Sequence, residues 1–260
     1  MRFLTLYGET TAEAVHEFAE KRGLLDKLPQ QYKHPREDYL IASENPPVFV
    51  LADGVTLDFR KFVKNGIRYP NPSPALEVAR IFCQAVVRSA QETYDLSADN
   101  AIKQVFTEAN AEVAKYNKKL GKSEYAGNPT GYYAATGAFA IIKEGRVYWA
   151  RICDSFVAHF DKNMKLLHMT SGSCQPYAVI NGEERMIEQV NFGAYELSES
   201  DRVCVFTDGF EGYMKNDSFL NILGIWDKSL EARVTNFEKE MNAKNPEVYG
   251  HERSLIVVLV

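Results

Sequence analysis

The stretch Val48-Phe49-Val50-Leu51-Ala52-Asp53-Gly54 limits the possible folds of this chain more than any other. A short apolar run, rich in β-branched and aromatic residues and closed by a turn dipeptide, reads as a buried strand. Its aspartate then sits where a rigid element hands over to a loop. The chain repeats the design at Val203-Cys204-Val205-Phe206-Thr207-Asp208-Gly209. Asp-Gly is among the commonest turn signals, so either copy alone reads as a turn. Two copies on matching strands become informative only with further acidic groups beside them.

The flanking sequence supplies such groups. Tyr39-Leu40-Ile41-Ala42 reads as a strand, and Asn45-Pro46-Pro47 turns the chain into the Val48 run. If the two strands form an antiparallel hairpin, Glu37-Asp38 and Asp53 fall at the same sheet edge. Further on, Ala138–Ile142, Arg146–Ile152, Phe156–Phe160 and Lys165–Met169 form a meander with an acidic corner at Cys153-Asp154-Ser155. Residues 171–193 read as a polar excursion. The chain closes on Glu252 followed by an apolar strand to Val260.

Helices are predicted between these strands. Thr10 and Glu13 resemble a capping box ahead of an apolar face at Ala14, Val15, Phe18 and Ala19, with Gly23 as a stop. Leu76, Ala79, Phe82, Cys83, Val86, Val87 and Ala90 share one face of a second helix. Ser97 is the expected cap of a third, with Ile102, Val105, Phe106, Ala109 and Val113 inside. Leu230, Val234, Phe237 and Met241 mark a last one. Paired helices between groups of strands argue against regular βαβ alternation and for an α+β layered sandwich, one domain over residues 1–260.

Bulk properties exclude several classes of partner. A net charge of -5 offers no basic footprint, so no nucleic-acid partner is expected. No apolar run reaches the roughly 18 residues of a membrane span, so no membrane partner is expected either. The four cysteines lack CxxC spacing, and Cys83 and Cys204 lie in apolar runs. A reduced, cytoplasmic setting and a monomer are the expectations.

The acidic candidates are Glu37, Asp38, Asp53, Asp154, Asp208 and Glu252. Gathered at one sheet edge they raise one another's pKa unless cations intervene. Oxygen-only ligands suit Mg²⁺ or Mn²⁺, and two such ions sharing a water make a nucleophile for attack on phosphorus.

In that order the chain resembles the metal-dependent protein phosphatases of the PP2C (PPM) type. The matching pieces are Glu37-Asp38, the run into Asp53-Gly54, and the two long helices. Ala135-Thr136-Gly137-Ala138, Asp154-Ser155, Ser200-Asp201-Arg202-Val203 with Asp208-Gly209, and the strand after Glu252 complete the order. The resemblance implies a β-sandwich of two antiparallel sheets with helix pairs outside. It implies that Asp53 bridges two metal ions and the Gly54 carbonyl binds one. Glu37 with Asp38 acts on that side, with Glu37 working through bound water, and Asp208 and Glu252 hold the other ion. Asp154 with Asp208 contributes to a weaker third ion. The implied reaction is hydrolysis of phosphoserine or phosphothreonine in a protein substrate by metal-activated water, with Asp53 and Asp208 central to catalysis.

The chain departs from the family pattern at four places. The phosphate-clamping arginine four residues before Glu37 is Lys33, which keeps the charge but loses the bidentate fork. Arg36 is the alternative clamp. Val55-Thr56-Leu57 follows Asp53-Gly54, so no histidine is there as a general acid. Glu252 stands for an aspartate, and Cys153 for the corner glycine. Lys33, Val55 and Glu252 favour the alternative of a related fold with weakened or lost activity, acting as a binding or regulatory module. A hydrolase of small phosphate esters is the third reading.

Overall fold

The computed structural model describes residues 1–29, 32–93, 95–96 and 100–260. Among them the strands are β1 (Arg2–Gly8), β2 (Asp38–Glu44), β3 (Pro47–Gly54), β4 (Ala135–Lys143) and β5 (Arg146–Ile152). They continue as β6 (Phe156–Phe160), β7 (Leu166–Met169), β8 (Asn191–Glu196), β9 (Arg202–Phe206) and β10 (Arg253–Leu259). The helices are α1 (Ala12–Lys21), α2 (Phe59–Lys64), α3 (Pro74–Glu92), α4 (Ala101–Leu120), α5 (Glu211–Met214), α6 (Asp217–Gly224), α7 (Leu230–Lys244) and α8 (Pro246–Tyr249).

Two five-stranded antiparallel sheets stack face to face, in the orders β1-β10-β9-β6-β7 and β2-β3-β4-β5-β8. The run that opened the sequence reading is β3, and burial on both faces explains its unbroken apolar character. Val48, Val50 and Ala52 pack with Val78, Phe82, Val105 and Phe106 of α3 and α4. Phe49 and Leu51 meet Val203, Val205, Ile256 and Val258 of the opposite sheet. On that sheet's outer side Phe206, Leu255 and Val257 pack with Phe210, Phe219, Leu223 and Val234 around α5–α7. The layers are therefore helix, sheet, sheet, helix. Each fully buried large side chain contributes about 1.5–3 kcal/mol.

Local signals set the element ends. Ser73 caps α3 by accepting from the Ala75 amide, and Pro74 occupies the first turn, where its missing N–H costs nothing. Glu144 and Gly145, both at positive φ, make the tight β4–β5 turn.

Several expectations are corrected. The cap of α1 is Thr11, one residue beyond Thr10, accepting from the Ala14 amide. The predicted cap Ser97 lies outside the described residues. Asn191–Glu196, whose first three residues read as the end of a polar excursion and whose last three fall in no predicted element, is β8; as an edge strand paired only to β5 it has no continuous apolar run to announce it. Four reduced thiols were expected, but Cys153 is disulfide-bonded to Cys174, while Cys83 and Cys204 are free and buried. The 21-residue separation carries no motif; only the fold brings the β5–β6 corner to the loop after β7. Among the described residues, no helix is long and apolar enough to cross a membrane.

Candidate metal centre

The candidate site is the polar end of the core between the sheets. Side chains alternate along a strand, so the rows facing the opposite sheet can be read past their last apolar member. Phe49 and Leu51 lead to Asp53, and Leu40 leads back to Asp38. Ala138 leads back to Thr136, Val157 to Ser155, Val205 on to Thr207, and Ile256 back to Ser254. These rows end at the same edge, where the ladder sets Asp38 opposite Asp53 and Asp53 opposite Thr136.

Hydrogen bonds tie the row ends together across the sandwich. The Thr207 hydroxyl donates to Asp38 Oδ2 at 3.2 Å and accepts from the Ser254 amide at 2.9 Å. Thr136 Oγ1 and Ser155 Oγ lie 2.9 Å apart. Asp38 is 1% exposed; its Oδ1 and the buried Ser254 hydroxyl beside it make no hydrogen bond of ordinary geometry, and Ser254 lowers the Asp38 pKa only in part against the larger upward push of burial. A buried carboxylate oxygen so weakly served is costly unless a cation or water meets it.

Both Asp-Gly glycines are required by packing. A side chain at Gly54 would meet the Ala75 backbone of α3 at 2.8 Å, and one at Gly209 would meet the Glu252 carbonyl at 2.2 Å. The dipeptides are thus close-approach points: the first is the paired end of β3 and the second opens a short 3-10 turn of helix.

Glu37 and Glu252 are held differently from the aspartates. Glu37 Oε1 accepts from Tyr69 Oη at 2.8 Å and Ser73 Oγ at 2.6 Å, and Oε2 lies 3.2 Å from His34 Nε2. Its backbone carbonyl accepts from the Gly54 amide at 3.1 Å, which fixes the hairpin mouth. The Glu252 carboxylate accepts from the amides of Glu37 and Asp38, at 3.0 and 3.1 Å, and from Tyr7 Oη at 2.9 Å. Glu252 therefore clamps the start of β2 to the start of β10.

Electrostatics mark the group as short of positive charge. Burial, then the Glu252 charge, holds Asp38 well above the usual carboxylate range. Burial, then the charge of Asp38, does the same to Asp53, with Asp208, Glu252 and Asp154 adding to it. Burial also raises Asp154 and Glu252. Asp208 is open at the rim, but dense surrounding protein and the Asp154 charge push it up to about 6. The donor set is all oxygen, which fits a hard divalent cation. The side chains ring the cleft rather than closing on one point: among the described residues, no three His, Cys, Asp or Glu form a ready-made metal-holding group.

The two candidate clamps part company. Lys33 is 69% exposed, with its ammonium 2.6 Å from Glu9 at the surface. Arg36 donates from Nε to the Asp38 carbonyl at 2.7 Å, and its guanidinium stacks 4.0 Å above the Tyr7 ring. Its terminal nitrogens carry no hydrogen bond to any described residue in the structure.

Reading the sequence alone missed Tyr7, His34, Tyr69, Ser73, Thr136 and Thr207 as the groups that hold the carboxylates. Thr207 had a signal, lying in register with Val203 and Val205, and His34 lies three residues before Glu37; Tyr7, Tyr69 and Ser73 are brought in from distant segments.

Comparison with known proteins adds the family. The sequence profile described as protein phosphatase 2C matches residues 30–244. No curated protein matches the chain. Among solved structures, the catalytic domain of the serine/threonine phosphatase PstP, in complex with two manganese ions, is 12% identical, with 100% of this chain and 98% of that chain covered at a TM-score of 0.59. PppA, a regulatory component of T6SS in Pseudomonas aeruginosa, is 11% identical over 100% and 97%, with a TM-score of 0.63. The S. agalactiae serine/threonine phosphatase is 14% identical over 98% and 98%, with a TM-score of 0.62. At these identities the likeness establishes the fold: the two stacked antiparallel sheets with flanking helices are the PP2C fold.

Proposed function

The chain belongs to the protein phosphatase 2C family, and from that premise we propose that it hydrolyses phosphoserine or phosphothreonine in protein substrates with the help of Mg²⁺ or Mn²⁺. The observation that carries the proposal is the convergence of Asp38, Asp53, Asp154, Asp208 and Glu252 at one end of the sandwich, their carboxyls pushed upward by burial and by one another. Bound cations would relieve the mutual repulsion of such a cluster at neutral pH.

Asp38, Asp53 and Asp208 would hold the metal ions, with the Gly54 carbonyl beside Asp53 and Asp154 on the Asp208 side. Divalent ions in such a site supply Lewis-acid activation of water and of the phosphoryl group. Glu37 and Glu252 serve as scaffolding: their oxygens are engaged by Tyr69, Ser73, Tyr7 and backbone amides. Thr207 orients Asp38. Arg36, fixed at Nε and free at its fork, is the group to receive the substrate phosphate, in place of Lys33. One domain and a monomer suffice for this chemistry.

The use of Glu252 as a clamp favours a second reading, a PP2C fold that binds partners without turnover. The deciding experiment is release of phosphate from a phosphothreonine peptide with Mn²⁺ or Mg²⁺, against EDTA, for the wild type and Asp208→Asn. Metal-dependent turnover lost in the variant supports the enzyme; a folded protein with no turnover in either metal overturns it. Comparing p-nitrophenyl phosphate with the peptide separates protein from small-ester substrates.

A further inference from the structure

Tyr7 stands at the polar end of the sandwich, on a strand that carries none of the clustered carboxylates. Alternation along β1 sets it on the same side as Phe3, which packs between the sheets, and the ladder pairs it with Ser254. The β1 row therefore ends beside the β10 row, at the edge shared by Asp38, Asp53 and Thr207. Because β1 is the outer strand of its sheet, Tyr7 lies at the rim and is half-buried.

Two of its contacts link groups already placed in the site. The hydroxyl donates to Glu252 Oε1 at 2.9 Å, on the carboxylate that also accepts from the amides of Glu37 and Asp38. Burial, then the charge and hydrogen bond of Glu252, holds the phenol above its ordinary range, with Arg36 opposing and Asp38 adding, so Tyr7 stays a neutral donor at neutral pH. Over the ring face lies the Arg36 guanidinium, its central carbon 4.0 Å from the ring centre; the Tyr39 ring is farther, at 5.9 Å. A cation so placed is held by the ring quadrupole. The bond from Arg36 Nε to the Asp38 carbonyl, at 2.7 Å, supplies a second fixed point. A planar group held on one face and at one edge presents its remaining edge in one direction only.

We propose that Tyr7 is a positioning residue for substrate binding: its ring sets the plane of the Arg36 guanidinium to receive the substrate phosphate, and its hydrogen bond to Glu252 holds the ring in place. The inference rests on the phosphatase reading, in which Arg36 takes the phosphate, and deepens it by naming the group that presets that clamp. Arg36 is exposed, and a long side chain there would otherwise lose rotamer freedom each time it bound a ligand. Holding it beforehand leaves the terminal nitrogens to pair with phosphate oxygens at smaller entropic cost. Tyr7 so ties the phosphate clamp to Glu252, which ties β2 to β10, and the clamp is built from three segments distant in sequence.

The test uses the full chain with Mn²⁺ and a labelled peptide carrying an uncleavable phosphonate analogue of phosphothreonine. In fluorescence anisotropy Tyr7→Leu should weaken binding about fivefold, and Tyr7→Phe, which keeps the ring, less than about twofold. In an Arg36→Ala background Tyr7→Leu should weaken it no further. Tyr7→Ile replaces the leucine variant if that one does not fold. Equal losses in the Phe and Leu variants, no loss in either, or a leucine loss that persists in full without Arg36 overturns the proposal. Turnover is read separately on the cleavable peptide, where the leucine loss should appear in KM rather than in kcat. The expected binding pattern without turnover in the wild type keeps Tyr7 and Arg36 as a phosphate-binding pair and removes the phosphatase reading. Turnover with no effect at Tyr7 does the reverse.

Discussion

Asp38 and Asp53 face each other directly across the β2–β3 ladder, at the end where the row of apolar side chains between the sheets stops. Facing residues on an antiparallel pair have Cβ atoms about 4.5–5.5 Å apart, and like charges there are destabilising. The fold adds Asp208 and Glu252 to the same field. Removing a charge should therefore help the metal-free fold and harm its chemistry.

Asp38→Asn and Asp208→Asn should each raise the melting temperature of EDTA-treated protein at neutral pH, because each relieves repulsion in a buried group. The same variants should lose most Mn²⁺ affinity in calorimetry. A lower melting temperature without metal would show that the carboxylates are satisfied by the protein alone.

The pH dependence follows from the same shifts. Asp208 sits near 6 in the fold against an ordinary 3.8, and Asp38, Asp53, Asp154 and Glu252 are shifted the same way. The folded state thus binds more protons than the unfolded one, and stability falls as pH rises from the ordinary carboxylate range through 6. Metal-free protein should melt at lower temperature at pH 7 than at pH 5, and saturating Mn²⁺ should erase or reverse the difference. A flat profile without metal would contradict the crowding.

The clamps can be told apart kinetically. Arg36→Ala removes a charged donor positioned over Tyr7 and should raise KM for a phosphopeptide about tenfold or more. Lys33→Ala breaks only a surface ion pair and should change KM less than about twofold. The opposite ranking would return the phosphate to Lys33.

Glu252→Ala leaves the amides of Glu37 and Asp38 and the Tyr7 hydroxyl without their acceptor, and should cost about 2–4 kcal/mol in urea unfolding. Glu252→Gln keeps the acceptor oxygen and should cost less than the alanine variant. Were Glu252 chiefly a metal ligand, both variants would melt like wild type in EDTA and differ only with Mn²⁺ present.

Reducing Cys153–Cys174, which closes a loop of 21 residues, should destabilise the protein by about 3 kcal/mol. Urea midpoints with and without dithiothreitol measure this, and Cys153→Ser should match the reduced wild type. Thiol titration of the native oxidised protein should find Cys83 and Cys204 unreactive, since both are buried.

The sequence by itself determined the buried strands, the long helices and the two Asp-Gly pairs at strand ends, because each rests on local periodicity and turn chemistry. Arg146–Ile152 and Phe156–Phe160 match their strands residue for residue. Burial on both faces writes a continuous apolar run into β3, β9 and β10, and such runs are visible without the fold. β8 was not legible, because an edge strand with a glycine at its centre has neither an apolar run nor a clean alternation.

What each polar side chain does was decided only by the tertiary structure. Glu37 and Asp38 are neighbours in sequence, but strand alternation turns them to opposite sides, one into the hydroxyls of Tyr69 and Ser73 and the other toward Asp53. Glu252 meets amides 214 and 215 residues away. Lys33 and Arg36 carry the same charge three residues apart, yet one rests on Glu9 and the other is pinned beside Asp38. Local chemistry fixes what an element is, whereas the partners of a carboxylate or a guanidinium are set by which distant segments the packed layers bring to it.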